Sequence, residues 1–170
     1  VACHSGRDRS GAGIGGVDMS AAKGWVPPAP LSLGQFFPDA SAAQAPADIA
    51  VVMPTILRPV IIHAVESVFA QDYAGRIQLL IGVDKASGPK ETLLEVLSRR
   101  PPNLSAMMLE LPYSTSVRHG GLHNATDGGS LRAILSLAAN TPYVAYLDDD
   151  NAWRPNHVRS LLAVMPGKAW

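Results

Sequence analysis

Four short apolar segments, each followed by a segment with helical spacing, constrain the fold of this 170-residue chain more than any other feature. We predict strands over residues 49–53, 77–83, 104–111 and 143–147. We predict helices over residues 59–70, 89–99 and 130–140, and from Pro155 onward. This alternation is typical of a mostly parallel sheet with helices on both faces. The sequence therefore predicts a three-layer α/β/α fold.

The first part of the chain differs in composition from the rest. Residues 1–47 are rich in Gly, Ala, Ser and Pro and show no sustained period of 2 or 3.6. Such a segment has too few apolar side chains in register to build a core. We therefore predict a flexible leader over residues 1–47 and a folded domain over residues 48–170.

Composition excludes several classes of function. Apolar residues make up 47% of the chain, which is enough for a sizeable core, and 14 basic side chains balance 14 acidic ones. A neutral chain has no global field that favours nucleic acid or an anionic membrane. No apolar stretch approaches the roughly 20 residues that cross a bilayer. We expect a cytoplasmic protein without a membrane segment in this sequence, unless parts not present here attach it to a membrane.

Polar residues follow each predicted strand. In open parallel sheets the ligand lies beyond the carboxyl ends of the strands. The residues at these ends are Pro54-Thr55, Asp84-Lys85, Pro112-Tyr113 and Asp148–Asn151. They should meet at one edge of the sheet, which makes that edge the candidate site.

The last predicted strand ends in three consecutive carboxylates, Asp148, Asp149 and Asp150. Unpaired carboxylates are costly to bury, so we expect positive charge beside them. If strand geometry continued, Asp148 and Asp150 would point to one side, where Mn²⁺ or Mg²⁺ could take their oxygens. The alternative is a solvated acidic turn before the next helix.

Other candidate residues lie near the remaining strand ends and on the third helix. Asp84 could accept a hydrogen bond from a nucleobase N–H or a ribose hydroxyl, or it could simply form a turn. Pro54 and Thr55 could contact a nucleoside. Arg58 could hold a phosphate or pair with Asp84, and Arg132 could donate twice to a pyrophosphate. The alternative for both arginines is a solvated surface position.

The polar segment 113–129 contains His119 and His123 on either side of two glycines. The glycines disfavour a helix, so ordinary loop histidines are favoured over a zinc site. We interpret the segment as a loop that closes over a ligand. The sequence contains no P-loop, no G-x-G-x-x-G after the first strand and no G-x-S-x-G, which argues against P-loop ATPases, Rossmann dehydrogenases and α/β-hydrolases.

Taken together, these residues resemble the family 2 glycosyltransferases, which have the GT-A fold, a Rossmann-like arrangement. The likeness rests on residues 51–55 with Arg58, on Asp84, on Arg132 and on the D-x-D element in residues 147–151. It extends from about residue 48 to residue 162. Ala133 and Leu135 depart from the family's A-R-N-x-G pattern.

The resemblance implies an enzyme that transfers a sugar from a nucleoside-diphosphate sugar, with UDP as the expected nucleotide, to an unknown acceptor. By analogy, Thr55 and Asp84 would contact the base, Arg132 would lie near the nucleotide, and Asp148 would meet the ribose or the metal. Asp150 would coordinate Mn²⁺ or Mg²⁺. Pro54, Arg58 and Asp149 complete the expected donor site.

The family's acceptor-binding half and catalytic base have no counterpart in these 170 residues. We therefore expect a GT-A-like fold that is incomplete at its C-terminal end, and we name no catalytic base. A non-catalytic nucleotide-binding module, or an inactive truncated relative, is the alternative function. A metal-dependent nucleotidyltransferase or phosphatase is a third, less favoured function. No Asp follows the first predicted strand, where haloacid-dehalogenase-like phosphatases carry their nucleophile.

Overall fold

A five-stranded sheet organises the part of the chain that the computed structural model describes, which is residues 45–124, residues 128–165 and the backbone of residues 33–36. The strands are β1 (Leu33–Phe36), β2 (Ile49–Thr55), β3 (Ile77–Asp84), β4 (Leu104–Leu111) and β5 (Val144–Tyr146). Their order in the sheet is β1-β4-β3-β2-β5. The last four strands are parallel, and β1 pairs antiparallel with β4.

Four helices connect or follow the parallel strands. They are α1 (Ile61–Phe69), α2 (Glu91–Ser98), α3 (Gly129–Ala138) and α4 (His157–Val164). All four predicted strands and all four predicted helices are present, with ends shifted by a few residues. The predicted α/β fold is therefore confirmed. Strand β1 lies inside residues 1–47, where the composition predicts none; residues 1–32 and 37–44 lie outside the described residues.

Strand β2 continues through Pro54, where the sequence predicts that it stops. Ala50 donates its N–H to the carbonyl of Tyr143 at 2.9 Å, and the carbonyl of Val52 accepts from the N–H of Leu147 at 3.1 Å. Peptide groups alternate sides along a strand, so the nitrogen of Pro54 faces the same side as these groups. There β5 has already ended, and the missing N–H of proline costs no ladder hydrogen bond.

The two faces of the sheet carry cores of unequal size. On one face, alternate residues of β2 such as Ile49, Val51 and Met53 are buried in the larger core, which includes residues of α1, α2 and α4. On the other face, Ala50 and Val52 belong to a smaller core that includes α3. The sheet is thus a middle layer between helices, and α3 is the helix of the described residues that covers the second face.

A glycine in β3 lets α3 approach the sheet closely. A Cβ atom on Gly82 would lie 2.9 Å from Cδ1 of Leu135, which is closer than real contacts, and 3.1 Å from Cβ of Leu131, which is tighter than most of them. Both leucines are fully buried. This close packing fixes the height of α3 above the sheet, and with it the position of Arg132 near the helix start.

The chain after β5 is tied to the end of α1. The side-chain amide of Gln71 donates to the carbonyl of Arg154 and accepts from the N–H of Val158, both at 2.9 Å. The hydroxyl of Ser67 accepts from the N–H of Trp153 at 3.1 Å. These bonds hold the segment that follows the acidic residues against the larger core.

Crossing a bilayer takes an apolar helix of roughly 20 residues. The described part of the chain contains no helix of that kind.

Candidate functional site

A pocket of about 410 Å³ opens at the carboxyl-terminal edge of the parallel strands. All eight residues predicted for the donor site line it: Pro54, Thr55, Arg58, Asp84, Arg132, Asp148, Asp149 and Asp150. The other residues named at the strand ends, which are Lys85, Pro112, Tyr113 and Asn151, are not part of this lining. Ile56, Ser116, Arg118, His119 and Gly128 complete the lining. Residues separated by almost one hundred positions in the chain therefore meet at the carboxyl edge of the parallel strands, as the sequence predicts.

The turn after β2 places Thr55 on the floor of the pocket. Leu57 adopts a φ of 64°, a left-handed conformation, and donates its N–H to Oγ1 of Thr55 at 2.8 Å. The Thr55 hydroxyl in turn donates to Oδ2 of Asp149 at 2.7 Å. Thr55 is buried, and both of these bonds stay within the protein. In this structure its hydroxyl therefore braces the acidic turn.

The three carboxylates occupy different environments. Strand β5 ends at Tyr146, and the N–H of Asn151 closes a turn on the carbonyl of Asp148 at 3.1 Å. The condition that strand geometry continues through Asp148 and Asp150 is therefore not met, because the strand ends before them. The side chain of Asp149 is 5% exposed, whereas those of Asp148 and Asp150 are 52% and 51% exposed.

Two arginines supply positive charge beside the acidic turn. Arg58 donates to Oδ1 of Asp149 and, at 3.3 Å, to Oδ2 of Asp150. Arg132 donates to Oδ1 of Asp148. The hydrogen bond with Asp149, together with its negative charge, raises the pKa of Arg58. The predicted pairing of Arg58 with Asp84 is not formed; Arg58 instead bonds to the carboxylates that follow β5.

The arrangement separates one structural carboxylate from two accessible ones. Asp149 uses both oxygens, one on Arg58 and one on Thr55. Within the described residues, only one oxygen of Asp148 receives a hydrogen bond. No group of three or more His, Cys, Asp or Glu side chains there could hold a metal. A hard cation that keeps waters or phosphates in its shell needs only one or two protein carboxylates, so Asp148 and Asp150 fit that smaller role.

Asp84 ends β3 beneath a loop that forms another wall of the pocket. It is 7% exposed, and its carboxylate accepts from the hydroxyl of Ser114 at 2.9 Å and from the N–H of Thr115 at 2.7 Å. The predicted loop 113–129 thus contributes Arg118 and His119 to the lining. The sequence indicated a loop that closes over a ligand and singled out His119 only together with His123, as ordinary loop histidines; no pattern marked Arg118.

Among the comparisons with known proteins, the one with solved structures found similarity, and it concerns the fold. No family model and no curated protein sequence matches this chain. The fold is an α/β fold of the Rossmann-like class, with four parallel strands and flanking helices.

Solved structures of TarS from S. aureus are similar to this chain. The crystal structure of its residues 1–349 superposes with a TM-score of 0.56 at 15% identity, over 69% of this chain and 32% of that one. The same TarS segment in complex with UDP gives a TM-score of 0.54 at 15% identity, over 69% and 32% of the two chains. Its complex with UDP-GlcNAc gives 0.55 at 16% identity, over 69% and 31%. This chain thus spans about a third of the length of the TarS segment that it matches.

Proposed function

We propose that this chain forms the donor-binding part of a glycosyltransferase of the GT-A fold, and that it binds a nucleoside-diphosphate sugar, most simply a UDP-sugar. The observation that supports this most is one pocket, at the ligand edge of a Rossmann-like sheet, in which two arginines lie beside three carboxylates. The fold is similar to structures of a protein captured with UDP and with UDP-GlcNAc.

The charges of the pocket suit a diphosphate. Arg58 and Arg132 line it, and a guanidinium group can donate two parallel hydrogen bonds to phosphate oxygens. Both arginines are now held by carboxylates, so the diphosphate would meet donors that are already oriented. In the complex, Arg58 and Arg132 would donate hydrogen bonds both to the phosphates and to the carboxylates of the acidic turn.

We propose further that Asp148 and Asp150 hold Mn²⁺ or Mg²⁺ together with the donor. Both side chains are about half exposed and line the pocket, and carboxylate oxygens are the ligands these cations prefer. Such a cation neutralises charge on a leaving diphosphate. Asp149 contributes differently, because its oxygens are bonded to Arg58 and Thr55 and orient these two side chains in the pocket.

Thermal unfolding of the full 170-residue chain tests this proposal. UDP with Mn²⁺ should raise the unfolding temperature more than UDP with a chelator, because a ligand that binds only the folded state stabilises it by mass action. At about 100 times the dissociation constant the stabilisation is about 2.7 kcal/mol. A folded sample that UDP does not stabilise with or without Mn²⁺ contradicts donor binding; equal stabilisation in both buffers contradicts the metal.

Substitution of the two exposed carboxylates tests the metal separately. Asp148→Ala and Asp150→Ala should each weaken the Mn²⁺-dependent part of UDP binding by about tenfold or more, the effect of losing one charged ligand. Asp72→Ala is the matched control: Asp72 is an exposed carboxylate that follows α1, pairs with Arg159 and is not part of the pocket lining. Titration calorimetry with UDP measures all three; an effect of equal size in the control would refute the assignment.

Release of GlcNAc from UDP-GlcNAc distinguishes transfer chemistry from simple binding. A glycosyltransferase donor site commonly allows slow transfer to water, so the proposal predicts sugar release that Asp150→Ala removes. Binding of UDP-GlcNAc without any release, in the presence of Mn²⁺, would favour the non-catalytic nucleotide-binding module.

A further inference from the structure

The loop between β4 and α3 has a buried base and an exposed tip. Ser114, Thr115 and Ser116 are 5%, 8% and 4% exposed, whereas the residues that follow them are open to solvent. Arg118 and His119 lie in this exposed part and line the pocket. The loop therefore places polar side chains over the site from a base that is held inside the protein.

Asp84 is the group that holds the base of the loop. One of its oxygens accepts from the hydroxyl of Ser114 and the other from the N–H of Thr115. The Ser114 hydroxyl also accepts from the N–H of Ser116 at 3.1 Å. Hydrogen bonds to a buried carboxylate are among the stronger ones in proteins. Both oxygens of Asp84 are thus used within the protein, at the position where the sequence suggests a contact with the nucleobase.

The loop also closes on itself. Val117 donates its N–H to the carbonyl of His123, and His123 donates its N–H to the carbonyl of Thr115, both at 3.0 Å. Gly121 donates to the carbonyl of Ser116 at 2.8 Å, and a Cβ atom on Gly121 would lie 2.3 Å from the carbonyl carbon of Thr115. Only glycine allows this approach. Residues 114–123 of the loop are therefore preformed, and a ligand would not have to order them.

We propose that Asp84 is a positioning residue that fixes this loop through Ser114 and Thr115, and that Arg118 at its tip binds the diphosphate of the donor. The second half rests on the proposed function, because it assumes a nucleoside diphosphate in the pocket. Arg118 lines this pocket, and its backbone N–H donates to the hydroxyl of Ser116 at 3.3 Å, which ties the backbone at this position to the anchored base of the loop. Because the backbone at Arg118 is already held, only its side chain has to be ordered when the guanidinium group meets phosphate oxygens.

Hydrogen exchange of the ligand-free chain tests the anchor. Asp84→Ala and Ser114→Ala should speed amide exchange at Thr115 and in residues 117–123 about tenfold or more, while amides of β3 keep their protection. Asp84→Asn keeps an acceptor for the Thr115 amide and should restore most of the protection. Ser98→Ala removes an exposed hydroxyl that bonds only within α2 and should change nothing. Unchanged exchange in Ser114→Ala and Asp84→Ala would overturn the anchor.

Calorimetry with UDP and Mn²⁺ tests the second half. Arg118→Gln should weaken UDP binding by about tenfold, as expected for one charged hydrogen-bond donor. Arg99→Gln is the charge-matched control, because Arg99 is exposed at the far end of α2. Ser114→Ala should also weaken binding, and the double variant with Arg118→Gln should be little weaker than Arg118→Gln alone.

The two proposals fail in different ways. If the unaltered chain binds no UDP, the donor site and the role of Arg118 are both wrong, while the exchange experiment still decides whether Asp84 anchors the loop. If the unaltered chain binds UDP and Arg118→Gln binds it equally well, the donor site stands and the role of Arg118 is overturned. If Ser114→Ala speeds amide exchange in the loop without weakening the affinity for UDP, the loop does not position a group that binds UDP.

Discussion

Replacement of Asp149 with alanine should lower the free energy of unfolding by about 2–4 kcal/mol, although the residue stands between two carboxylates that tolerate the same change. Asp149 is the buried member of the three, and it bonds to Thr55 and Arg58. The variant leaves the buried Thr55 hydroxyl without its acceptor, and a lost charged hydrogen bond costs about 1.5–3 kcal/mol. Arg58 is 46% exposed and can rehydrate, so its share is smaller.

Urea denaturation of the full chain, followed by circular dichroism, measures this difference. Asp148→Ala and Asp150→Ala are the matched controls, and each should cost no more than about 1 kcal/mol because its ion pair is largely exposed to water. Asp149→Asn keeps an acceptor for Thr55 and should fall between these values. If all three alanine variants were equally stable, Asp149 would not brace the turn after β2.

Stability and ligand binding should therefore separate within one acidic turn. Asp149 should affect stability most, whereas Asp148 and Asp150 should affect metal-dependent binding of UDP most. The sequence alone does not predict this division, because the alternation of side chains holds only while the chain remains a strand. The chain leaves the sheet after Tyr146 and turns at Asp148, so that Asp149 points inward.

The parallel strands and the helices are predictable because each is marked by a local pattern. Residues 79–83 carry no polar side chain, and such a run is typical of a strand buried on both faces. In the third helix, the apolar residues Leu131, Ile134, Leu135 and Ala138 recur at helical spacing. Strand β1 has no such pattern: the short segment Leu33–Phe36 pairs with Met107 and its neighbours in β4, and a pairing over this distance leaves no local signal.

The composition of the pocket is predictable from topology, and its internal contacts are not. Parallel strands end at one edge of the sheet, so Thr55, Asp84 and Asp148 lie near one another whichever contacts their side chains make. Which carboxylate each arginine meets depends on the turns after β2 and β5. The left-handed conformation of Leu57 shapes the first of these turns. Leucine rarely adopts this conformation, so the sequence does not predict it.

The second large effect is expected at Leu135, on the face of α3 that packs on the sheet. Leu135→Ala should lower the free energy of unfolding by about 2–5 kcal/mol, the range for a buried leucine that leaves a cavity. The residue is fully buried against Ala50, Val52 and Leu80, which form the smaller of the two cores. Backbone of a parallel sheet bounds this cavity, so collapse cannot fill it easily.

Leu137 provides a control of the same chemistry on the same helix. Its side chain is 90% exposed, and Leu137→Ala should change the free energy of unfolding by no more than about 0.5 kcal/mol. Urea denaturation of both variants measures the contrast, and similar values would mean that α3 does not pack as described. Because α3 also carries Arg132 to the pocket, Leu135→Ala should weaken UDP binding even where the variant is fully folded. Leu137→Ala should leave that affinity unchanged, so the pair links the packing of the second face directly to the site.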